Sequence, residues 1–349
     1  MRIFLDDSRC RHNLVPLTHT RHVADIRVGI LTIREKWQLL TGKTIVTDPA
    51  SVRDNDLVMP AGLLPSLHNV DTLLKASRDK ISVFDDQDHE IRRIQYPWHI
   101  YQHNDWALRR DFELLTRGRQ SAPVSSTNRL IEPAGVFLEQ GAVMEYCIIN
   151  ASTGPVYIGK GAELMEGCLV RGALALCEGA IMKMGTRTYG ATTLGPYCTA
   201  GGEIKNSVFQ SYSNKAHDGY LGDSVIGSWC NLGAGTSNSN VKNTGGMVKY
   251  VTGNEHDVVP AGQKAGLIMG DYSRAAINTS FNTGTIVGVC CNIFGSRQPA
   301  KFIPSFSWGD ERYDIEKAIQ DIDNWKKMKS QSLSDDEKKL LYELYLTIN

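Results

Sequence analysis

The stretch IGKGAELMEGCLVRGALALCEGAIM, residues 158–182, places an aliphatic side chain at every sixth position: Ile158, Leu164, Val170, Leu176 and Met182. A six-residue period matches neither the 3.6-residue period of an α-helix nor the two-residue period of a strand with one buried face. It is typical of a parallel β-helix, in which each hexad supplies one short strand and one corner. Three hexads close one triangular coil, and each coil buries its surface only by stacking on the next.

The same period continues beyond this stretch. Leu194 lies on it after a polar residue at Thr188, and a second run carries Met269, Ala275, Phe281, Val287 and Ile293 at sixth positions. Glycine often follows the aliphatic residue, as in Leu194-Gly195, where the missing β-carbon permits a corner that other residues would strain. We therefore predict a mainly β fold organised around a parallel β-helix. A glycine-rich β-sandwich is the alternative.

The remaining segments predict three parts: a small α/β unit at residues 1–125, the β-helix at 126–308 and a C-terminal helical segment at 309–349. The elements expected in the first part are strands at Arg2–Leu5, near Leu57–Met59 and at Ile81–Phe84, and helices at Val23–Leu40 and Trp106–Leu115. These follow from strand-like apolar runs and from apolar residues spaced three and four apart.

Two segments are predicted to be irregular. The polar run Gln120–Asn128 is expected to be a linker, and Asn240–Ala265, rich in Lys, Asn, Gly and Thr, a loop projecting from one corner of the β-helix. At the C-terminus, a capping box at Ser334–Glu337 opens the second of two amphipathic helices. We expect these helices to cover the open end of the β-helix or to pack on a neighbouring subunit.

Composition excludes several classes of partner. Lysines plus arginines equal aspartates plus glutamates, 38 of each, so no overall field favours nucleic acid or an anionic membrane. The N-terminus lacks the apolar region of a signal peptide, and no apolar run approaches the length of a membrane span. The eight cysteines include no C-x-x-C pair and no zinc spacing. We expect reduced thiols, no bound metal and a cytoplasmic location.

Side chains suited to catalysis concentrate where the six-residue period falters. His217 lies among polar and glycine residues, and the ordinary pKa of imidazole suits proton transfer near neutrality. Glu203, 14 residues earlier, could orient that imidazole from the adjacent coil. Arg187 and Lys205 are suited to a phosphate, the arginine as a bidentate donor and the lysine as a point charge. The alternative is a structural histidine and two solvated cations.

These motifs resemble a known family. Gly202-Glu203-Ile204-Lys205, Lys215-Ala216-His217, Tyr220-Leu221-Gly222-Asp223 and the run NLGAGT at 231–236 resemble the acetyltransferase half of the bifunctional bacterial GlmU enzymes. Those enzymes join glucosamine-1-phosphate N-acetyltransferase to N-acetylglucosamine-1-phosphate uridyltransferase. The order and gaps match without insertion from residue 187 to residue 240.

The resemblance implies a left-handed β-helix, a homotrimer with sites between subunits, and acetyl-CoA as acyl donor, whose ligands it does not identify. It implies roles for seven residues: His217 as general base, Glu203 as its support, Arg187 and Lys205 for the sugar phosphate, Tyr220 and Asn231 for the sugar, and Asn240 for the acetyl-donor end. Asp218-Gly219 and Val241 depart from the family pattern beside this pocket, which indicates a different acceptor sugar.

The whole chain also resembles a GlmU-like family of sugar nucleotidyltransferases typical of Bacteroidetes-type bacteria. The resemblance rests on LVPLTHTR at 14–21, IRVGILT at 26–32 and FSWG at 306–309. It implies that residues 1–125 are a truncated nucleotidyltransferase-like domain and that residues 126–308 are acyltransferase-like. Nucleotidyl transfer requires a glycine-rich loop after the first strand, and residues 6–13, DDSRCRHN, contain no glycine.

We therefore predict an acyl-CoA-dependent N-acetyltransferase that acts on an amino-sugar phosphate in nucleotide-sugar or cell-envelope biosynthesis. One alternative is a sugar-1-phosphate nucleotidyltransferase for uridylyl or thymidylyl transfer, which would require Mg²⁺. The other alternative is a non-catalytic trimer that binds a nucleotide sugar.

Overall fold

The computed structural model describes residues 2–79, 90–252 and 258–348. Three sets of stacked parallel strands form a three-sided β-helix, preceded by a small α/β unit and followed by two helices. The predicted class is confirmed: a mainly β chain built on a left-handed parallel β-helix, with an N-terminal α/β unit and C-terminal helices. The domain boundaries at 125 and 308 remain predictions.

The N-terminal unit contains one three-stranded parallel sheet with the order β2-β1-β3. Its elements are β1 (Ile3–Asp6), β2 (Ile45–Val46), β3 (Leu57–Pro60), α1 (Ile33–Thr41), α2 (Val70–Arg78), α3 (Trp98–Gln102) and α4 (Asn104–Thr116), with 3-10 turns at Arg11–Leu14, Leu17–His19, Val23–Asp25 and Pro49–Ser51. The strand predicted at Ile81–Phe84 lies outside the described residues. The other predicted strands and the helix at Trp106–Leu115 correspond to β1, β3 and α4.

The predicted helix at Val23–Leu40 is wrong in its first half. A 3-10 turn covers Val23–Asp25, and α1 begins only at Ile33, behind a capping box formed by Thr32 and Glu35. The intervening backbone is held by side chains of α4 rather than by helical hydrogen bonds, because the Asp111 carboxylate accepts the N–H groups of residues 30 and 31. Apolar spacing identified the buried side chains of this segment but not its backbone conformation.

The β-helix has three faces, which we name A, B and C. Face A contains β4 (Arg129–Ile131), β7 (Ile148–Asn150), β10 (Leu169–Arg171), β13 (Arg187–Tyr189), β16 (Glu203–Lys205) and β19 (Tyr220–Gly222), and the pair β22 (Ser237–Asn238) and β27 (Ser280–Phe281) follows β19 along the same side. Face B contains β5 (Val136–Leu138), β8 (Val156–Ile158), β11 (Leu174–Leu176), β14 (Thr192–Leu194), β17 (Val208–Phe209), β20 (Val225–Ile226), β25 (Leu267–Met269), β28 (Thr285–Val287) and β30 (Phe302–Ile303).

Face C contains β6 (Val143–Met144), β9 (Glu163–Leu164), β12 (Ile181–Met182), β15 (Thr199–Ala200), β18 (Asn214–Lys215), β21 (Asn231–Leu232), β26 (Arg274–Ala275), β29 (Asn292–Ile293), β31 (Ser307–Trp308) and the antiparallel β32 (Glu311–Arg312). A 3-10 turn at Pro133–Gly135 precedes β5.

The residues predicted at sixth positions form the interior of the β-helix. Ile158, Leu164, Leu176, Met182 and Leu194 are all 0% exposed, and the members of the second run are buried as well. The glycine after Leu194 has a steric reason, since a β-carbon at Gly195 would lie 1.7 Å from the carbonyl oxygen of Gln210 in the next coil. Close stacking of one coil on the next therefore requires glycine there.

The segment predicted as a projecting loop folds back onto the molecule. Within it, β23 (Val248–Val251) pairs with β24 (Val258–Gly262) in an antiparallel hairpin. Tyr250 is fully buried and stacks on Trp98 of α3 with 5.0 Å between ring centroids. The prediction missed this because an aromatic residue in a polar segment has no visible partner in sequence. The hairpin, α3 and the outer side of face B thus share one hydrophobic cluster.

The two terminal helices, α5 (Ile315–Lys327) and α6 (Asp335–Thr347), lie along the corner between faces B and C. They pack against Tyr272, Cys290 and Phe306, which occupy that corner in successive coils. The predicted capping box at Ser334 is present. The helices therefore cover a side of the β-helix and not its open end, and packing on a neighbouring subunit stays a prediction.

One interior position holds a lysine. Lys215 on β18 is 1% exposed and lies in register with Ala200 of β15. Its Nζ donates to the carbonyl oxygens of His217, at 2.7 Å, and Gly201, at 3.3 Å. Burial lowers the pKa of the Lys215 ammonium to about 8, against an opposing contribution from Asp218.

This burial predicts how stability depends on pH. The folded-state pKa is depressed, so the unfolded chain binds the proton more tightly between pH 8 and pH 10.5, and stability rises with pH in that window. Relative to a Lys215→Met variant, the wild type should gain up to about 3 kcal/mol in free energy of unfolding between pH 7 and pH 10.5. Urea denaturation of both proteins at several pH values measures this difference. A difference that stays constant with pH would contradict the lowered pKa.

Candidate functional site

Three of the residues predicted to act in the site form one row on the outer side of face A. Arg187 on β13, Glu203 on β16 and Tyr220 on β19 are in register on consecutive strands. The next residue of each strand is buried in the interior, so by strand alternation these three side chains point outward. Neighbouring strands lie about 4.8 Å apart, which makes the three side chains immediate neighbours.

A second row runs parallel to the first. Tyr189 and Lys205 are in register two residues further along the same strands, with the Lys205 Nζ 5.8 Å from the Tyr189 ring centroid. The Tyr189 hydroxyl donates to Glu203 Oε1 at 2.7 Å, and this bond raises the pKa of Tyr189. Sequence reasoning missed Tyr189, although the two-residue period of a strand places it on the same side as Arg187.

His217 occupies the corner that leads from face C into face A, three residues before β19 begins. Its side chain is exposed, and its ring makes no hydrogen bond to the described residues. The predicted pairing with Glu203 assumed a 14-residue step between coils. The coil here is 17 residues long, so Glu203 lies beside Tyr220, and its carboxylate bonds Tyr189 instead of His217.

Asn240 and Tyr220 meet in a buried polar network. Asn240 Nδ2 donates to the Tyr220 hydroxyl at 3.0 Å and to Asp223 Oδ2 at 2.5 Å, and Asn206 Nδ2 donates to Asp223 Oδ1 at 2.7 Å. Burial, followed by the nearby Asp223 carboxylate, raises the pKa of Tyr220. Asp223 and Asn206 have φ values of 48° and 43°, a backbone conformation that Asn and Asp tolerate well. Their roles were missed, although Asp223 ends the quoted YLGD motif.

Asn231 is separated from the face A residues. It lies on β21 of face C, between Asn214 and Arg274 in register. Of the seven predicted residues, the structure brings Arg187, Glu203, Lys205 and Tyr220 together on face A and joins Asn240 to Tyr220. His217 lies at the corner, and Asn231 lies beyond that corner on another face.

An open groove of about 640 Å³ extends along face A from this row. Arg187, Tyr189 and Glu203 line one part of it, and Ile148 and Leu169, both nearly half exposed, line another. Such a surface can hold an anionic group at its charged part and apolar groups beside it.

Two classes of feature are not found in the described parts of the chain. No group of three or more His, Cys, Asp or Glu side chains is placed to hold a metal ion. Among the helices at 2–79, 90–252 and 258–348, none is both long and apolar enough to cross a membrane.

Comparison with known sequences gives a family-model match and several similar proteins. Residues 2–52 match the family model for sugar nucleotidyl transferases. The bifunctional protein GlmU of Methanocaldococcus jannaschii is 35% identical over 94 residues, 27% of this chain and 22% of that protein. GlmU of a Cyanothece species is 25% identical over 215 residues, 54% of this chain and 46% of that protein. The chain thus spans less than half the length of these relatives.

Comparison with solved structures gives matches of low sequence identity. The UDP-N-acetylglucosamine acyltransferase of Arabidopsis aligns with 64% of this chain and 90% of its own at a TM-score of 0.30 and 13% identity. LpxA of Bacteroides fragilis, also a UDP-N-acetylglucosamine acyltransferase, aligns with 65% of this chain and 98% of its own at a TM-score of 0.22 and 13% identity.

The family-model match at residues 2–52 contains the segments LVPLTHTR and IRVGILT quoted above and covers β1, α1 and β2 of the N-terminal unit. The two GlmU relatives align with 27% and 54% of the chain. The predicted resemblance to GlmU-like proteins is confirmed over these parts of the chain.

Proposed function

We propose that this protein is an acyl-CoA-dependent N-acetyltransferase that acts on an amino-sugar phosphate, with acetyl-CoA as donor. The observation that carries the proposal is the row of Arg187, Glu203 and Tyr220, with Lys205 beside it and His217 at the adjoining corner. The relatives named GlmU support a transferase of this family, and the acceptor sugar and acyl group are part of the proposal.

Arg187 and Lys205 are suited to the acceptor phosphate. They lie on neighbouring strands of face A, and neither forms an ion pair with a described residue. An arginine can donate two parallel N–H groups to phosphate oxygens, and a lysine adds a point charge. The exposed position of Arg187 lets a phosphate approach from solvent.

In the proposed reaction, the nitrogen of the sugar amine attacks the thioester carbonyl carbon of acetyl-CoA. The His217 imidazole takes the proton that the amine loses. The carbon–sulfur bond then breaks, and coenzyme A leaves as a thiolate that takes up that proton, which produces an amide and a free thiol. Glu203, held by the Tyr189 hydroxyl, contributes a carboxylate to the row next to the corner.

Asn240 contributes through its backbone in this scheme. Both hydrogens of its side-chain amide are used by Tyr220 and Asp223. Its backbone N–H makes no hydrogen bond to a described residue, so this group can stabilise the oxyanion of the tetrahedral intermediate. Asn231 lies on face C, away from this row, and is given no role in the scheme.

The first prediction concerns His217. In a free-thiol assay with acetyl-CoA and glucosamine-1-phosphate, the His217→Ala variant should lose at least about 100-fold in rate, because the general base is removed. Glucosamine without its phosphate should be a poorer acceptor, since Arg187 and Lys205 then have no ligand.

The matched control is His68→Ala, which removes another exposed histidine from the N-terminal unit and should retain full activity. An unchanged rate of acetyl transfer in the His217→Ala variant would contradict the role of His217 as general base. Tight binding of a nucleotide sugar without turnover of any acyl donor would favour the non-catalytic alternative.

Face A also supports the proposed homotrimer. Ile131, Ile148 and Leu169 are exposed side by side on its outer side, at 51%, 49% and 46% of their surface. Exposed apolar patches mark interaction surfaces. A second copy packed there would bury these side chains beside the charged row.

The second prediction follows. Light scattering after size exclusion should give three times the chain mass of 38.6 kDa for the wild type, and the double variant Ile148→Asp and Leu169→Asp should run as a monomer, since two carboxylates would be desolvated in the contact. Leu39→Asp, at an exposed apolar position of α1, should leave the trimer intact. A monomeric wild type would overturn the trimer.

A second candidate function is supported by the N-terminal unit. A cavity of about 510 Å³ lies at the carboxyl ends of β1 and β3, lined by Asp6, Arg9, Gly62 and Arg93 among others. Ligands of open α/β sheets bind outside the carboxyl ends of the strands. Together with the match of residues 2–52, this location supports nucleotide binding and sugar-1-phosphate nucleotidyl transfer.

The cavity differs from what the reaction ordinarily requires. Among the described residues, Asp6 is the only carboxylate that lines the cavity, and Mg²⁺ often arrives with a nucleoside triphosphate. Residues 6–13 contain no glycine, and a 3-10 turn begins at Arg11. Because of these features, we rank nucleotidyl transfer below acetyl transfer as a candidate function.

The third prediction tests it. If the second candidate is right, pyrophosphate should be released from one of the four nucleoside triphosphates in the presence of Mg²⁺ and a sugar-1-phosphate. The Arg9→Ala variant should reduce that rate at least about tenfold, because it removes a cation beside the triphosphate. If none of the four triphosphates gives pyrophosphate release, this function is eliminated and the acetyl-transfer proposal is unaffected.

A further inference from the structure

A buried arginine on face C lacks hydrogen-bond acceptors. Arg274 lies on β26 and is 7% exposed, although it is on the outer side of the β-helix. Within the described parts of the chain, its Nε and Nη2 have no hydrogen-bond partner. Burial lowers the pKa of this guanidinium. A buried charge without acceptors is costly, and such groups are normally paired or bound to a ligand.

Arg274 lies between two polar side chains of face C and is covered by an aromatic side chain of α5. Asn231 and Asn292 flank it in register on the neighbouring strands. Trp325 of α5 covers the guanidinium at 5.2 Å from its ring centroid. On one side of Arg274, Tyr313 forms a hydrogen bond with Asn292. Asn231, on the other side, is half-buried.

A second cation lies near this position. One strand beyond Asn231, Asn214 Oδ1 accepts a hydrogen bond from Lys329 Nζ at 3.1 Å, so cations lie on both sides of Asn231. Asp321 is the acid whose charge acts on Arg274, but its carboxylate accepts from the Tyr313 hydroxyl at 2.6 Å and makes no hydrogen bond to the arginine. The remaining groups that act on Arg274 are Tyr313 and the thiols of two buried cysteines.

We propose that Asn231 and Arg274, beneath α5, bind one small oxyanion, the phosphate group or carboxylate of a metabolite. Arg274 donates its unpartnered N–H groups to the oxyanion, and the Asn231 amide donates from the neighbouring strand. Guanidinium geometry favours planar or tetrahedral oxyanions over halides, because two parallel N–H groups match two oxygens. This site is separate from the phosphate position proposed at Arg187 and Lys205, which lies on another face.

The experiment is calorimetric titration of the full chain with inorganic phosphate and, separately, with acetate, at constant ionic strength set with chloride. The protein carries Arg187→Ala and Lys205→Ala, so that phosphate binding on face A does not contribute. We expect one oxyanion bound per chain, and at least a tenfold weaker affinity when Arg274→Gln is added. Binding of phosphate alone, acetate alone or both identifies the oxyanion class.

Two further variants make the test independent of folding defects. Arg109→Gln, which removes an exposed arginine of α4, should bind as tightly as its parent. Asn231→Asp places a carboxylate beside Arg274 and should abolish oxyanion binding while raising the melting temperature, since the arginine then has its own acceptor. Failure of both phosphate and acetate to bind, or equal affinity in the Arg274→Gln protein, would overturn the proposal. Neither result would affect the acetyl-transfer proposal, which is tested by turnover.

Discussion

The stacking of one coil directly on the next governs this molecule. Every strand of the β-helix pairs with its counterpart one coil away, so each backbone group is satisfied only if the interior residues of adjacent coils have compatible sizes. Large aliphatic side chains fill that interior, and glycine lies where a β-carbon would collide with the next coil, as at Gly195. The outer side chains are thereby ordered in rows, because strand register fixes which residues become neighbours. The candidate site is a consequence of that register.

This constraint explains which features were predictable from sequence. The six-residue spacing identified the interior and the fold class, since the period is set by backbone geometry alone. The helix at Val23–Leu40 and the loop at Asn240–Ala265 were mispredicted, because contacts with residues far away in sequence decide their conformation. Asp111 holds the first, and Trp98 stacks on the second.

The site itself was only partly predictable. Composition and family resemblance selected the right segment, yet the partners of each side chain depend on the local length of the coil. A 14-residue step would have joined Glu203 to His217, whereas the 17-residue coil joins Glu203 to Tyr189. Asp223, which organises Asn240 and Asn206, became recognisable only from its hydrogen bonds. The burial of Arg274 could not be predicted from the sequence, because it depends on the packing of helix α5 against face C.

The contacts between the N-terminal unit and the β-helix have a consequence for the order of folding. Arg21 and Thr20 bond Asp271, which follows them by about 250 residues. Strands of adjacent coils pair across only 15 to 21 residues, except across the segment that contains the hairpin, where the separation is 43 residues. Coils can therefore add one after another as the chain is synthesised, while the N-terminal unit emerges before its docking surface on face B exists. Until the coil containing Asp271 has formed, Trp98 lacks Tyr250 and the apolar side of α3 remains open to water. The N-terminal unit is thus synthesised before the coils against which it packs.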